Sequence, residues 1–489
     1  MYIRQIARGW KSFCAAVIFC ALVTMASRAQ TFTTLGSFDL SNGQFPAGPI
    51  VQGFDGNFYG TTSEGGNNGT EYGTVFRITP GGTITSLYSF CAQIDCTDGS
   101  SPFGGLTLGR NGNLYGTTLG GGAQYKCGTV FMITPTGQLT TLHSFQLSEG
   151  CTIYSGLIQA SDGNFYGTTY AGGTSSICYS GCGAIFKVTP NGVLTTLYSF
   201  CMQSGCLDGS NPMKALMEGS DGNLYGSTGQ GGANGQGTLF KISFAGVFTS
   251  LHSFDGTDGS SPSAPLVQAA QTFNGYGGTF GGGSQNSGTF FSSTTSGSVM
   301  TLYNFCSLPN CADGYWPSGI TQGTNGIFYG ANLIGGSTAE SCVQGFSQGC
   351  GTLFAITPSG TFRLLHTFCT TKACADGVWP GGGLIQGTDG NFYGTTEEGI
   401  GSVFKLSVGL APFVRTSPLL GATGATVVIY GYNLSGATAV SFHGTPAAYT
   451  VVSDTEISAK VPSGASTGTV EVTTSSGSLS SNLPFRVLQ

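Results

Sequence analysis

The stretch DGNFYGTT, Asp55–Thr62, decides how this chain is read. It returns unchanged at Asp162 and Asp389, and in altered form as NGNLYGTT from Asn111, DGNLYGST from Asp221 and NGIFYGAN from Asn325. A worn copy, FNGYGGT, begins at Phe273. The seven tyrosines, Tyr59, Tyr115, Tyr166, Tyr225, Tyr276, Tyr329 and Tyr393, are spaced by 56, 51, 59, 51, 53 and 64 residues. A second motif, TLYSF or a close variant, also occurs seven times, ending at Phe38, Phe90, Phe145, Phe200, Phe254, Phe305 and Phe368.

One unit reads as four short strands. GLIQ (Gly156–Gln159) meets the turn Ser161-Asp162-Gly163, then NFYGTT; a Gly-rich stretch leads to AIFKVTP and, past Asn191-Gly192, to VLTTLYSF. Asp-Gly and Asn-Gly are hairpin signals because a type I′ turn needs positive φ at both central residues. Four strands per unit of roughly fifty residues is the blade of a β-propeller, whereas solenoid coils are usually shorter. The phase of the repeat argues for closure. The chain opens on TFTTLGSF (Thr31–Phe38), a fourth strand with no blade before it, and the last copy stops after its third strand, SVFKL (Ser402–Leu406). A ring in which the N-terminal strand completes the seventh blade removes two open sheet edges. The expected fold is therefore all-β: a seven-bladed propeller over residues 31–408 and a small Ig-like sandwich over 411–489. The sandwich follows from the alternating apolar and polar residues of TVVIYGYNLSGATAVSFHGTPA and TEISAKVPSGASTGTVEVTTSSG.

Composition agrees with a folded, turn-rich chain. Of 489 residues 83 are Gly, 34 Phe and 20 Tyr, and only 8% are charged. Collagen would need Gly at every third position, and a disordered chain would lack the aromatics. At the N-terminus Arg4, Arg8 and Lys11 precede an apolar run from Phe13 to Ala26 and then Ser27-Arg28-Ala29, the pattern of an export signal cleaved after Ala29. The run is shorter than a membrane span requires. Without residues 1–29, 12 basic residues stand against 22 acids, a net charge of −10, and the basic residues are scattered. Nucleic acid is thereby excluded as a partner, and no later segment suits membrane insertion.

The cysteines fit an oxidising compartment. Cys14 and Cys20 leave with the signal, and the remaining 14 form an even set. Close pairs are Cys91/Cys96, Cys178/Cys182, Cys201/Cys206, Cys306/Cys311, Cys342/Cys350 and Cys369/Cys374, which leaves Cys127 with Cys151. In a four-stranded blade all of these fall on the face carrying the loop between strands two and three and the loop leaving strand four. The spacings are too wide and variable for zinc, so no metal or other cofactor is expected.

The recurring LYGTT, GTVFKITP and LTTLYSF elements resemble the bacterial tandem repeat called GloVer. Pro418, GYNLSGATAVSF, VPSGASTGTVEV and the final PFRV closely resemble the TIG (IPT) family of immunoglobulin-like modules. The first resemblance implies an exported protein without catalytic residues to carry over; the second implies a spacer or accessory binding unit.

Catalytic groups are sought without success. His143, His252 and His366 occupy the slot that Tyr88, Tyr198 and Tyr303 fill in other copies, so they read as packing residues; His443 lies in the sandwich. Asp55, Asp162, Asp221 and Asp389 lie in hairpin turns, while Asp98, Asp208, Asp258, Asp313 and Asp376 precede Gly at a loop end. Both sets read as turn-forming residues. On the first strands one slot holds Gln52, Leu108, Gln159, Glu218, Gln268, Gln322 and Gln386. These side chains are expected around a central channel, as an amide ring or as partners of buried backbone groups. A glycosidase needs two carboxylates and the ring offers Glu218 alone.

Trp316 and Trp379, with Tyr315 beside the first, lie in DGYWPSG and DGVWPGG on the long-loop face. They read either as packing between blades or as an aromatic platform for a ligand. The expected function is an exported, non-catalytic binding or scaffolding protein that takes a glycan or a cell-surface protein on that face. A polysaccharide lyase or hydrolase using loop carboxylates is the alternative. The sequence leaves the oligomeric state open.

Overall fold

The computed structural model describes residues 30–488 apart from 69–70, 124–125, 270–273, 337–348 and 398. The export signal and Cys342 lie outside these residues. The chain is all-β, with many small sheets and a few 3-10 turns. Seven antiparallel sheets follow one another along the repeat region. The third is typical: Ile158–Gln159, Phe165–Thr169, Ala184–Val188 and Leu194–Ser199 pair in sequence order. In the fifth, Ser260–Pro262 pairs as well with Gly275–Gly281. The seventh consists of Leu384–Gln386, Phe392–Thr396 and Ser402–Ser407 and takes Thr31–Ser37 as its fourth strand.

The repeated motifs are explained by packing. The second and third strands are buried on both faces, so they read as continuous apolar runs rather than alternating ones. The Gly of FYGTT is needed because the Phe of the third strand crosses it: a Cβ on Gly60 would lie 2.6 Å from the Phe76 ring, and on Gly167 2.6 Å from Phe186. Neighbouring sheets share a core. Tyr59, Val75 and Phe90 of the first sheet pack with Leu114, Phe131 and Ile133 of the second. Val403 and Tyr393 of the seventh pack in the same way with Phe58, Phe76 and Ile78 of the first.

Hydrogen bonds join successive sheets. The Thr61, Thr117 and Thr168 hydroxyls donate to the carbonyls of Gly104, Ser155 and Lys214 in the following sheet's entry link. Ser263 and Ser318 donate likewise to Pro317 and Pro380, and Thr395 of the seventh sheet donates to Pro46, which leads into the first.

After residue 410 a sandwich follows. Arg415–Ser417, Thr426–Tyr430, Glu456–Lys460 and Tyr449–Val451 form one sheet; Ala437–Phe442, Thr445–Pro446, Val470–Thr474 and Gly477–Ser480 form the other. Its core includes Val427, Ile429, Val440, Phe442, Ile457, Val472 and Phe485. It contacts the hairpin turns of the first and seventh repeat sheets. The Phe413 N–H donates to Thr388 O, Arg415 donates to Gln386 O, and the rings of Phe54 and Tyr430 lie 5.0 Å apart.

Candidate functional site

On the face of the hairpin turns, the repeated polar residues are joined to one another. Asp162 accepts the Asn164 N–H at 3.0 Å and the Tyr166 hydroxyl at 2.8 Å, and Asp55, Asp221 and Asp389 repeat the pattern with Tyr59, Tyr225 and Tyr393. Burial, then the adjacent carboxylate, holds these phenols well above the usual tyrosine range. The Gln slot is equally occupied. Gln159 accepts the Arg110 N–H of the preceding sheet's hairpin at 2.9 Å and donates to Gly163 O of its own. Gln386 and Gln52 bridge in the same way, taking the N–H of Thr324 and Thr388. Gln268 takes that of Ser220, Glu218 that of Ser161 at 2.8 Å, and Gln322 donates to Gly326 O. Where Leu108 replaces the amide, a cleft of about 410 Å³ lies between the first two hairpins and the sandwich, lined in part by Phe54, Arg110, Val428 and Glu456.

The opposite face carries the long loops. There the Tyr/His slot and the aspartate before Gly prove to be one device. The Tyr198 hydroxyl donates to Asp208 at 2.7 Å, and that fully buried carboxylate also accepts the N–H groups of Met202 and Gln203. Tyr88 with Asp98 and Tyr303 with Asp313 are equivalent, and His366 meets Asp376 at 3.1 Å. In shorter loops His143 pairs with Glu149 and His252 with Asp258. The expectation of a packing slot beside an independent turn residue is thus refined: the two read separately in sequence but clamp the loop together. His366 also stacks on Phe32 with centroids 3.9 Å apart, and burial keeps it below the usual imidazole range against the opposing effect of Asp376.

Disulfides staple the same loops. Cys91–Cys96, Cys178–Cys182, Cys201–Cys206, Cys306–Cys311 and Cys369–Cys374 are bonded, and Cys127 bonds Cys151 with Cα atoms 4.4 Å apart. Cys350 is disulfide-bonded too. Two sulfur clusters, Cys178/Cys182/Cys201 and Cys350/Cys369/Cys374, have the proximity of metal ligands. Their sulfurs are oxidised, so neither offers the thiolates a metal would take.

Between the loops, each link into the next sheet contains one residue in the left-handed region: Phe45, Ser101, Thr152, Asn211, Ser261, Trp316 and Trp379, with φ between 49° and 62°. Such a conformation costs roughly 1–2 kcal/mol outside glycine, and backbone bonds hold it. The Trp379 N–H donates to Cys350 O, and its carbonyl accepts the Glu397 N–H. Trp316 and Trp379 are half-buried, Tyr315 packs against the core between the fifth and sixth sheets, and Trp379 packs against that between the sixth and seventh. The aromatic surface continues beyond them. Trp316 meets Phe280 edge-on at 6.0 Å, and Phe103, Tyr154 and Tyr170 form a chain of edge contacts on the second and third sheets.

Sequence reading missed the charged pair inside this collar. Lys214, on the link entering the fourth sheet, has its ammonium 6.0 Å from the Phe280 ring. Glu397 leaves the second strand of the seventh sheet, and its carboxyl lies over Gly381, where any Cβ would collide. The two side chains belong to the fourth and seventh sheets yet interact electrostatically. Burial pushes the Glu397 carboxyl up to about 7, moderated by Lys214, and pushes Lys214 down, moderated by Glu397. Both side chains are half-buried. The one available signal was that neither residue has a counterpart in the other copies.

The comparisons with known proteins agree with this architecture. No curated protein matches the chain. Among solved structures, a fungal alcohol oxidase of the AA5 family, in complex with copper, is 12% identical with a TM-score of 0.52, covering 94% of this chain and 99% of that one. A gluconolactonase from Xanthomonas campestris (11% identical, TM-score 0.39) covers 78% of this chain and 90% of its own. The PQQ-bound aldose sugar dehydrogenase from Streptomyces coelicolor (15%, 0.39) covers 63% and 94%. Only the first likeness is close enough to bear on the fold. The Gloeobacter/Verrucomicrobia repeat model matches residues 16–216 and 180–404, and the IPT/TIG domain model residues 414–487. The chain belongs to the Gloeobacter/Verrucomicrobia repeat family and ends in an IPT/TIG domain.

Proposed function

We propose that this protein is exported, that its seven repeat sheets close into a seven-bladed propeller over residues 31–408, and that the propeller binds an extracellular glycan at the long-loop end of its axial shaft, without catalysis. Closure is supported by the pairing of Thr31–Ser37 with Ser402–Ser407 and by the bonds from Thr388 and Thr395 to Gln52 and Pro46. Export is supported by the disulfide set, which belongs to an oxidising compartment. Among the described residues no helix is long and apolar enough to cross a membrane. The TIG module contacts hairpins on the opposite face, so the long-loop face remains available to a ligand.

The observation that carries the reading is the collar. Phe103, Tyr154, Tyr170, Phe280, Trp316 and Trp379 are all partly exposed, and the Lys214 ammonium lies 6.0 Å from the Phe280 ring. Half-exposed rings on a rigid scaffold offer contact area at little entropic cost, which suits the apolar face of a sugar ring. A hydrolase is disfavoured because the described loop aspartates Asp98, Asp208, Asp313 and Asp376 are tied into clamps and Glu397 is without a neighbouring described carboxylate acting on it. Trp316→Ala and Trp379→Ala should each weaken glycan binding by about 1 kcal/mol or more, with little change in thermal midpoint, measured on a glycan array and by calorimetry. Loss of folding without a separate effect on binding would assign both to the core.

A further inference from the structure

On the third sheet two disulfides lie side by side. Cys178–Cys182 closes a turn in the link between the second and third strands, and Cys201–Cys206 closes the loop that leaves the fourth. The Sγ atoms of Cys178, Cys182 and Cys201 all lie within 4.8 Å of one another. Their exposure is ordered: Cys182 and Cys201 are buried in the core shared with the fourth sheet, while Cys178 and Cys206 are partly exposed. The two loops are already docked, because the Ser175 hydroxyl donates to Cys201 O and the Thr174 N–H to the Ser199 hydroxyl, each at 3.2 Å. The sixth sheet gathers Cys350, Cys369 and Cys374 within the same distance, again with the first two buried and the third partly exposed. Cys182 and Cys350 each precede the Gly before a third strand, and so does Cys127, which in the second sheet is bonded across loops to Cys151. The scaffold therefore accepts a cross-loop bond from this slot.

We propose that the third-sheet cluster is a thiol-exchange site, at which a small thiol becomes bound to Cys178 and the two local disulfides are traded for one cross-loop bond, Cys182–Cys201. A thiolate R–S⁻ attacks the accessible Cys178 Sγ; the R–S–Cys178 bond forms, the Cys178–Cys182 bond breaks, and the electron pair leaves on Cys182. Burial disfavours a thiolate there, and the Cys201 sulfur lies beside it. Cys182 attacks Cys201, the new bond forms, and the Cys201–Cys206 bond breaks with its electron pair on Cys206, which takes up a proton from solvent. One thiol is consumed and one released, and two disulfides remain, so no oxidant or reductant is needed. Exchange proceeds through such mixed disulfides and is governed by which sulfur is accessible. The consequence is mechanical. The exit loop loses its own staple, so the exposed tip from Met202 to Gly205 is released, while its base is tied to the neighbouring link.

The test uses the full exported chain with glutathione as the thiol, in mildly alkaline buffer without denaturant, followed by alkylation and non-reducing peptide mapping. The thiol-free chain should yield Cys178–Cys182 and Cys201–Cys206. With glutathione, the Cys182–Cys201 peptide should rise about tenfold or more, together with glutathione on Cys178 and the alkyl group on Cys206. Cys91–Cys96, whose sheet has no other cysteine, should gain no new partner within the chain. Glutathione on Cys178 without the Cys182–Cys201 peptide would overturn the assignment. New partners for Cys91 and Cys96 at the same rate would do so too, since they mark general scrambling. Cys178→Ser combined with Cys206→Ser leaves the inner pair alone and should form Cys182–Cys201; finding both as free thiols in the folded variant would count equally against it. The map of the unaltered chain needs no variant, so it decides the matter even if the double serine chain fails to fold.

Discussion

The two faces of the repeat region use the same backbone and opposite polar strategies. On the hairpin face nearly every repeated polar side chain finds its partner inside the scaffold: Asp162 holds Tyr166, Gln159 joins two hairpins, and Glu218 does the acceptor work of a glutamine. On the loop face the repeated groups are likewise closed, as in Tyr198–Asp208, and the repeat is broken at a few positions. Lys214 and Glu397 each occur once in their slots, and Trp occurs in its slot only at 316 and 379. In a tandem repeat, what recurs is what every interface between sheets needs. A costly exception in one copy points to something other than the scaffold.

This contrast can be broken at several points. The largest effect is expected at Asp208, whose buried carboxylate satisfies a phenol and two backbone N–H groups. Asp208→Ala should cost about 3 to 4 kcal/mol of stability, since each buried donor left without a partner costs roughly 1–3, and denaturant unfolding would show it. A loss below 1 kcal/mol would mean that the clamp is dispensable.

Replacing Cys127 and Cys151 by serine opens a bridge spanning 24 residues. The chain-entropy argument gives a loss of about 3 kcal/mol, which denaturant unfolding would show. Altered affinity at unchanged stability would place that loop in the site.

Glu397 supplies a pH signature. Its carboxyl titrates near 7 in the folded protein against an ordinary value of 4.5, so its contribution is fully present below pH 4.5 and is lost as pH rises through 7. Glu397→Gln should therefore raise the thermal midpoint at pH 8, by the equivalent of ~2 kcal/mol, and leave it unchanged near pH 4. The reverse order would show that Glu397 is stabilised as the carboxylate. The smallest effect is expected at Glu218. Its Oε2 does what an amide oxygen does in the other copies, so Glu218→Gln should leave stability and binding within error. Loss of a measured hydrolytic or lytic activity on that change would revive a catalytic role for the ring.

Much was legible in the chain before any coordinates. DGNFYGTT and TLYSF imply four short strands per unit because Asp-Gly turns between short apolar runs leave few other solutions, and the composition change after Leu410 marks the TIG domain. The cysteine pairs are local, so their spacing suggested their bonding. The left-handed links were hidden, because Phe45, Ser101, Thr152, Asn211 and Trp316 share no chemistry that announces positive φ. Tyr198 and Asp208 were each visible as recurring slots, but ten residues of loop separate them and only the fold shows that they meet.

What the sequence determined by itself is the repeating unit, since strand, turn and glycine requirements are satisfied within some fifty residues and their spacing is written in the chain. What only the tertiary structure decided is the encounter of Lys214 with Glu397. They lie 183 positions apart, Lys214 on the link entering the fourth sheet and Glu397 just after the second strand of the seventh. Their mutual approach depends on how successive sheets rotate around one another, a property of the packing between sheets rather than of any segment.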